Sequence, residues 1–356
     1  MILKNIKVMV VDDSALMRKL ISDMLNSEES IEVIATGKNG IELLDKLKGG
    51  IKPDIITLDV EMPLMDGITV LKAVKLNGYN IPIIVLSSIS LRGPILTMEC
   101  LEAGAFDFQP KPSGSISLGI DNVKEELVQK IKMAYEKTNS QAIEFKKNTT
   151  ATVIAASDTK KSCTYKNLIE AIVIGASTGG PKALYSVITT FPRNIGVPVF
   201  VVQHMPVGFT KAFADRLNTN SAINVKEAED GETYVKDCVY IAPGGFHMEI
   251  WGDKKIHLNT EPSIWGVRPA VDKLFISASE IYGPNILSIV LTGMGKDGAN
   301  GTIVIKKNGG YTMAEDKSTC TIYGMPKAAF ETGMVDEVLP VHEVTNQVNR
   351  LLRIGR

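Results

Sequence analysis

The chain has 356 residues, too many for one ordinary hydrophobic core, so two domains are the starting expectation. Hydrophobic residues make up 44% and charged residues 22%, a balance typical of chains that fold as globular domains. With 39 basic and 40 acidic residues the net charge is −1, which gives no electrostatic reason to expect nucleic acid or anionic lipid as the main partner. No apolar run approaches the ~20 residues needed to cross a bilayer, so no membrane insertion is expected. Residues 1–8 run straight into a strand pattern and lack the order of a secretory signal. Cys100, Cys163, Cys238 and Cys320 have no paired spacing, which argues against a disulfide framework or a zinc site. A reduced, cytoplasmic setting is expected.

Residues 6–138 alternate short apolar runs with amphipathic stretches. Strands are predicted at 6–11, 31–35, 54–58, 81–86 and 106–109. The segments between carry helical spacing, as in Ala15, Leu16, Leu20, Ile21, Met24 and Leu25. Five βα repeats at this pitch predict a doubly wound, flavodoxin-like parallel sheet whose sites gather at the carboxyl ends of its strands. From about residue 138 to 167 the pattern fades into Gln, Asn, Thr, Ser and Lys, which reads as a solvated linker. The expected division is 1–138, a linker over 139–168, and 169–356.

The second domain is predicted to be α/β as well, with a mainly parallel but more mixed sheet. Its strands are predicted at 171–175, 197–203, 239–242, 248–251, 256–258, 286–291 and 311–314. Helices are predicted at 181–190, 210–217, 270–282, 298–307 and 325–332.

Four groups fall at strand ends in the first domain: Asp12 and Asp13, Asp59, Ser87, and Lys111 before Pro112. Three carboxylates at one rim repel one another unless a divalent cation lies among them, and a hard, oxygen-preferring ion such as Mg²⁺ suits that set. A lysine opposite supplies a point charge for a phosphoryl group, and a carboxylate can then act as nucleophile to form an acyl phosphate. Helix capping is the plainer use for Asp12 and Asp13 taken alone.

Val10-Val11-Asp12-Asp13-Ser14, the stretch from Leu58 to Gly67 and Lys111-Pro112 together resemble the receiver domains of two-component response regulators. The resemblance implies that Asp59 accepts phosphate from a chemotaxis histidine kinase. It also implies that Asp12, Asp13, Asp59 and the main-chain carbonyl of Glu61 hold Mg²⁺. Ser87 stands at the switch hydroxyl and Phe108 at the aromatic rotor, where Phe lacks the hydroxyl that a Tyr offers.

The second domain opens with Gly175-Ala176-Ser177-Thr178-Gly179 between a strand and a helix. Gly-x-Ser-x-Gly at such a turn can lift a serine above the sheet, although a phosphate-binding turn or a plain Gly-rich connection uses the same residues. A serine nucleophile needs a base. His204 follows a buried strand, His247 follows Gly244-Gly245-Phe246 as a reserve, and His257 and His342 read as surface residues. Asp297 lies past the strand at 286–291 and could orient an imidazole. Its surroundings, Gly293-Met294-Gly295-Lys296-Asp297-Gly298, also satisfy a dinucleotide fingerprint, but an aspartate would there face a pyrophosphate. Chain order Ser, His, Asp differs from the Ser, Asp, His order of α/β-hydrolases.

Gly175 to Gly180, Gln203-His204-Met205-Pro206, Ala242 to Gly245 with His247, Arg268 to Asp272, Leu291 to Gly298 and Met325-Pro326 resemble the catalytic domain of the chemotaxis protein-glutamate methylesterases. The resemblance implies Ser177 as nucleophile, His204 as general base, Asp297 as its orienting partner and the Met294 amide as an oxyanion donor. Geometry suggests the Thr178 amide as a second donor. The resemblance also implies hydrolysis of glutamate methyl esters on chemoreceptors, deamidation of receptor glutamines, no cofactor for either reaction, and a receiver that blocks the site until Asp59 is phosphorylated. The rivals are a receiver-controlled binding module without hydrolase activity and a transcription regulator. The latter would need a basic recognition helix that the C-terminal segment does not supply.

Overall fold

The strands of the first domain are apolar on both faces, a pattern that only a sheet covered on both sides can bury. The computed structural model describes residues 5–90, 92–111, 120–147 and 167–354. The chain divides into two units, Met1–Asp158 and Thr159–Arg356.

The first unit runs β1 (Ile6–Val11), α1 (Ala15–Asn26), β2 (Ile31–Gly37), α2 (Gly40–Lys48), β3 (Ile55–Asp59), α3 (Gly67–Leu76), β4 (Ile83–Ser87), α4 (Gly93–Ala103), β5 (Asp107–Pro110) and α5 (Ile120–Lys147). Strand order is β2-β1-β3-β4-β5 and every pairing is parallel, as expected for a doubly wound sheet. Helices α1 and α5 cover one face with Ile21, Leu25, Leu127 and Ile131 over Val8, Val10 and Ile84. Polar side chains set the helix starts. Ser14, Asn39 and Asp66 each accept a backbone amide as N-caps of α1, α2 and α3. Helix α5 continues to Lys147, past the boundary expected at 138. Pro112 and residues 148–166 of the expected linker lie outside the described residues.

The second unit runs β6 (Ala171–Ala176), α6 (Gly180–Ile188), β7 (Val199–Gln203), α7 (Phe209–Asn220), β8 (Asn224–Glu227), β9 (Cys238–Ile241), β10 (His247–Ile250), β11 (Ile256–Asn259), α8 (Val271–Tyr282), β12 (Ile286–Val290), α9 (Ala299–Lys307), β13 (Tyr311–Glu315), α10 (Met325–Glu331), β14 (Glu337–Leu339) and α11 (Val341–Leu351). Seven strands form one sheet in the order β14-β13-β12-β6-β7-β9-β8, parallel throughout. The mixed character expected of this domain resides elsewhere, in the separate antiparallel hairpin of β10 and β11. Strand β6 comes first in the unit yet sits between β12 and β7, so the chain winds away from it in both directions and its carboxyl end is the switch point at which such sheets place their sites. No helix among the described residues is long and apolar enough to cross a membrane.

Phe275 on α8 is fully buried among Val173, Phe200 and Val290, tying that helix to the sheet. Phe275→Ala is expected to lower unfolding free energy by about 3–5 kcal/mol, read as a reduced urea midpoint at unchanged slope.

Candidate functional site

The carboxyl ends of three neighbouring strands, β12, β6 and β7, gather the residues expected to carry the second unit's chemistry. Ala176 pairs with Gln203, the last residues of β6 and β7. Ser177 and His204 are therefore the next residues out on adjacent strands, which run about 4.8 Å apart. The His204 amide extends the ladder by donating to the Ala176 carbonyl at 3.0 Å. Gln203, 1% exposed, donates through Nε2 to the carbonyls of both Ser177 and His204 at 3.0 Å. On the other flank the Ser177 amide donates to the Thr292 carbonyl, also at 3.0 Å, in the loop leaving β12.

Two glycines make this approach possible. Gly179 has φ of 74°, and a Cβ there would fall 2.2 Å from that of Thr321. A Cβ on Gly293 would fall 2.8 Å from that of Ser177, so the β12 loop passes the serine with no room for a side chain.

His204 meets Asp297, its Nε2 lying 2.8 Å from Oδ2. The carboxylate is 2% exposed and also accepts the amides of Val271 (2.6 Å), Asp272 (2.9 Å) and Gly298 (3.0 Å). Val271 and Asp272 are the first residues of α8, whose N-terminus favours a negative charge. Burial alone would push the Asp297 carboxyl up, but the His204 bond and the α8 amides outweigh it and hold the group below its ordinary value. With Nε2 committed to Asp297, Nδ1 is the ring nitrogen left for a proton from elsewhere. Among the described residues the Ser177 hydroxyl makes no hydrogen bond to that ring, and contacts of this kind often tighten only with substrate bound.

His247, the reserve base, has both nitrogens engaged. It is fully buried, with Nδ1 accepting the Ala270 amide at 3.2 Å and Nε2 donating to the Pro262 carbonyl at 3.2 Å. Burial lowers its proton affinity, which suits the neutral ring those two bonds require. It braces the start of α8. Thr178 is buried and Met294 half-buried, the first adjoining Ser177 and the second adjoining Gly293.

Asp272 closes the Arg268 to Asp272 stretch, but the sequence assigns it no role. It answers Asp297 by accepting the amides of Gly298 (3.0 Å) and Gly301 (2.8 Å) at the start of α9, together with the Trp265 indole at 3.3 Å. Its place in the first turn of α8 was the available signal. Burial, with Asp297 nearby, raises its proton affinity.

In the first unit, Asp12, Asp13 and Asp59 each offer an oxygen within 4.8 Å of the others. Lys111 bridges Asp12 at 2.7 Å and Asp59 at 2.8 Å. Burial pushes the Asp59 carboxyl up to about 6, against the pull of Lys111. Burial works to lower the Lys111 ammonium, but its two carboxylates more than offset that and raise it. One ammonium against three carboxylates leaves a surplus of negative charge that fits a divalent, oxygen-preferring ion. The helix-capping role goes instead to Ser14, whose amide donates to Asp12. Ser87 is fully buried at the end of β4, and the Lys111 amide donates to its carbonyl at 2.7 Å. The Glu61 amide lies 3.3 Å from the Asp59 carboxylate, and its side chain accepts the Ser88 hydroxyl at 3.0 Å. Phe108 is buried, with the Lys130 ammonium 5.5 Å from its ring centre.

The profile described as CheB methylesterase matches residues 172–348, and the response regulator receiver domain profile matches residues 8–119. A Clostridium acetobutylicum protein named protein-glutamate methylesterase/protein-glutamine glutaminase is 59% identical over 351 residues, covering 99% of each chain. A Pyrococcus horikoshii protein of the same name is 43% identical over 356 residues, covering 99% of this chain and 95% of its own. The crystal structure of the Thermotoga maritima CheB methylesterase catalytic domain is 46% identical, covers 51% of this chain and 98% of its own, and superposes with a TM-score of 0.50.

Because the Asp297 carboxyl is held below its ordinary value in the fold, its contribution to stability is complete above the ordinary carboxylate range and is lost as pH falls through the depressed value. Asp297→Asn is expected to cost about 1–3 kcal/mol at pH 7. The gap between the two proteins in urea unfolding should narrow below pH 4.

Proposed function

Since this chain belongs to the CheB methylesterase family and carries a response regulator receiver domain ahead of the catalytic one, we propose that Ser177, His204 and Asp297 perform its protein-glutamate methylesterase and protein-glutamine glutaminase chemistry. The observation that carries the assignment is the bond from His204 Nε2 to the buried Asp297 carboxylate, one residue beyond the β6–β7 ladder from Ser177. An ionised Asp297 keeps the Nε2 proton in place and leaves the Nδ1 lone pair as the base. His204 takes the Ser177 proton as Oγ attacks the side-chain carbonyl of a methylated glutamate. The oxyanion is met by the amides of Thr178 and Met294, where preorganised donors contribute most. Collapse of the adduct breaks the bond to methoxide, which leaves as methanol with the proton from His204. Water, deprotonated by the same ring, then splits the acyl-enzyme to glutamate and free serine. Glutamine follows the same path with ammonia as leaving group.

The substrates on this reading are methyl-accepting chemotaxis receptors, and the reaction resets their signalling during adaptation. The receiver takes phosphate on Asp59 from a chemotaxis histidine kinase. Asp12, Asp13, Asp59 and the Glu61 carbonyl are the groups that would hold Mg²⁺, which supplies positive charge to the phosphoryl oxygens when bound. Lys111 supplies the protein's own cation there, and Ser87 offers the hydroxyl that senses the modified aspartate. The receiver covers residues 1–138 with α5 running on into the connector, and the catalytic domain occupies 169–356. The unphosphorylated receiver obstructs the Ser177 site, and phosphorylation shifts the population towards an open arrangement.

Ser177→Ala is expected to reduce methanol release from methylated receptor membranes by about 10³-fold or more. Unchanged release would rule out the nucleophile. A fluorophosphonate probe should label Ser177 in a manner that depends on His204, which a passive binding module cannot do. In the full chain, Asp59→Ala should abolish stimulation by a small phosphodonor while leaving basal release at the unstimulated wild-type rate.

A further inference from the structure

Thr292 is 1% exposed at the start of the loop after β12, and four hydrogen bonds converge on it. Its carbonyl accepts the Ser177 amide at 3.0 Å. Its hydroxyl donates to the Thr178 carbonyl at 3.0 Å, 114 positions away in the chain, with the Ile322 carbonyl at 3.2 Å as the alternative acceptor. The same hydroxyl accepts the Ile322 amide at 2.8 Å. Its own amide donates at 2.7 Å to Oε2 of Glu315, a carboxylate 1% exposed at the end of β13. The other oxygen of Glu315 accepts the Thr319 hydroxyl at 2.9 Å.

The two bonds from Thr292 to the nucleophile turn fall on either side of one peptide unit. The Ser177 amide and the Thr178 carbonyl bracket the Ser177–Thr178 peptide, so fixing both restricts the torsions that decide where the Thr178 amide points. Met294 lies two residues beyond Thr292 on the same loop. Between them Gly293 is pinned through its amide to the Ile322 carbonyl (3.1 Å) and through its carbonyl to the amides of Gly324 (3.1 Å) and Met325 (2.8 Å). A threonine needed only to close this loop could satisfy Ile322 alone. Here one hydroxyl joins the 322 segment, the β12 loop and the serine turn in a single frame.

The geometry points to Thr292 as the positioning residue that holds the two oxyanion-binding amides in register with Ser177, with Glu315 as its buried anchor. This rests on the reading of Ser177 as nucleophile. Donors set a few tenths of an ångström out of place lose transition-state stabilisation while substrate binding is little affected.

The test uses full-length protein carrying Thr292→Val, which keeps the shape and main-chain bonds and removes the hydroxyl, beside Thr292→Ser, which restores it. Thr292→Val should lower kcat for methanol release by about 10- to 100-fold with KM within twofold, and Thr292→Ser should recover most of it. A trifluoromethyl ketone analogue of the glutamate ester, which binds as a tetrahedral adduct, should weaken towards Thr292→Val by the same factor as kcat/KM falls. Wild-type kcat in Thr292→Val, a loss confined to KM, or equal impairment of both variants overturns the proposal. If Thr292→Val does not fold, the analogue is measured on Thr292→Ser and Thr292→Cys. Tighter binding to Ser than to Cys supports the role, and equal binding overturns it. Absence of fluorophosphonate labelling at Ser177 in the wild type would instead remove the nucleophile assignment itself.

Discussion

A carboxylate withdrawn from water must find donors on every side, and Asp297 finds four: two amides at the head of α8, the amide of Gly298, and the His204 ring. The rest of the site depends on that arrangement. The α8 amides keep the charge on Asp297, the charge fixes the imidazole, and the imidazole stands one residue past the ladder that carries Ser177. Removing any donor would leave a buried anion partly unmatched, which costs more than the bond itself. Asp272 repeats the device in reverse, its Oδ1 accepting the Gly298 and Gly301 amides at the head of α9. Two helices are thus joined head to head by exchanged carboxylates, and the loop from Thr292 to Gly298 leads from β12 into that junction.

The same arrangement disposes of the dinucleotide fingerprint around Gly293. A pyrophosphate would need the open amides at the start of α9, and Asp272 and Asp297 already occupy them. The glycines there serve other ends. Gly293 lets the loop graze Ser177, and Gly298 contributes its N–H to both carboxylates.

Much of this was legible in the sequence because polar groups interrupt apolar runs at strand ends. Asp59, Ser87, Ser177 and His204 all announce themselves in that way. Strand β8 did not, since Asn-Val-Lys-Glu on a sheet edge buries only Val225 and reads as a turn. Strand β14 is three half-buried residues. Helix α11 did carry a signal, as Val344 and Val348 sit four apart on one buried face. Asp272 looked like an ordinary first-turn acid, because its use depends on where α9 arrives. Thr292 was equally silent. One hydroxyl reaching a carbonyl more than a hundred positions earlier leaves no local periodicity to read.

Strand order carries one more consequence. The founding strand of the catalytic sheet, β6, pairs on one side with β7, which follows at once, and on the other with β12, which arrives only at Ile286. A nascent chain emerging from the ribosome can therefore lay down β6, β7 and their neighbours while that flank stays unpaired, and the loop to be closed is long. Until the chain has emerged past Ile322, the Asp297 contacts and the Thr292 frame cannot both exist. A truncated translation product ending before β12 would carry Ser177 and His204 but lack both Asp297, which holds the ring, and the Thr292 contacts to the serine turn.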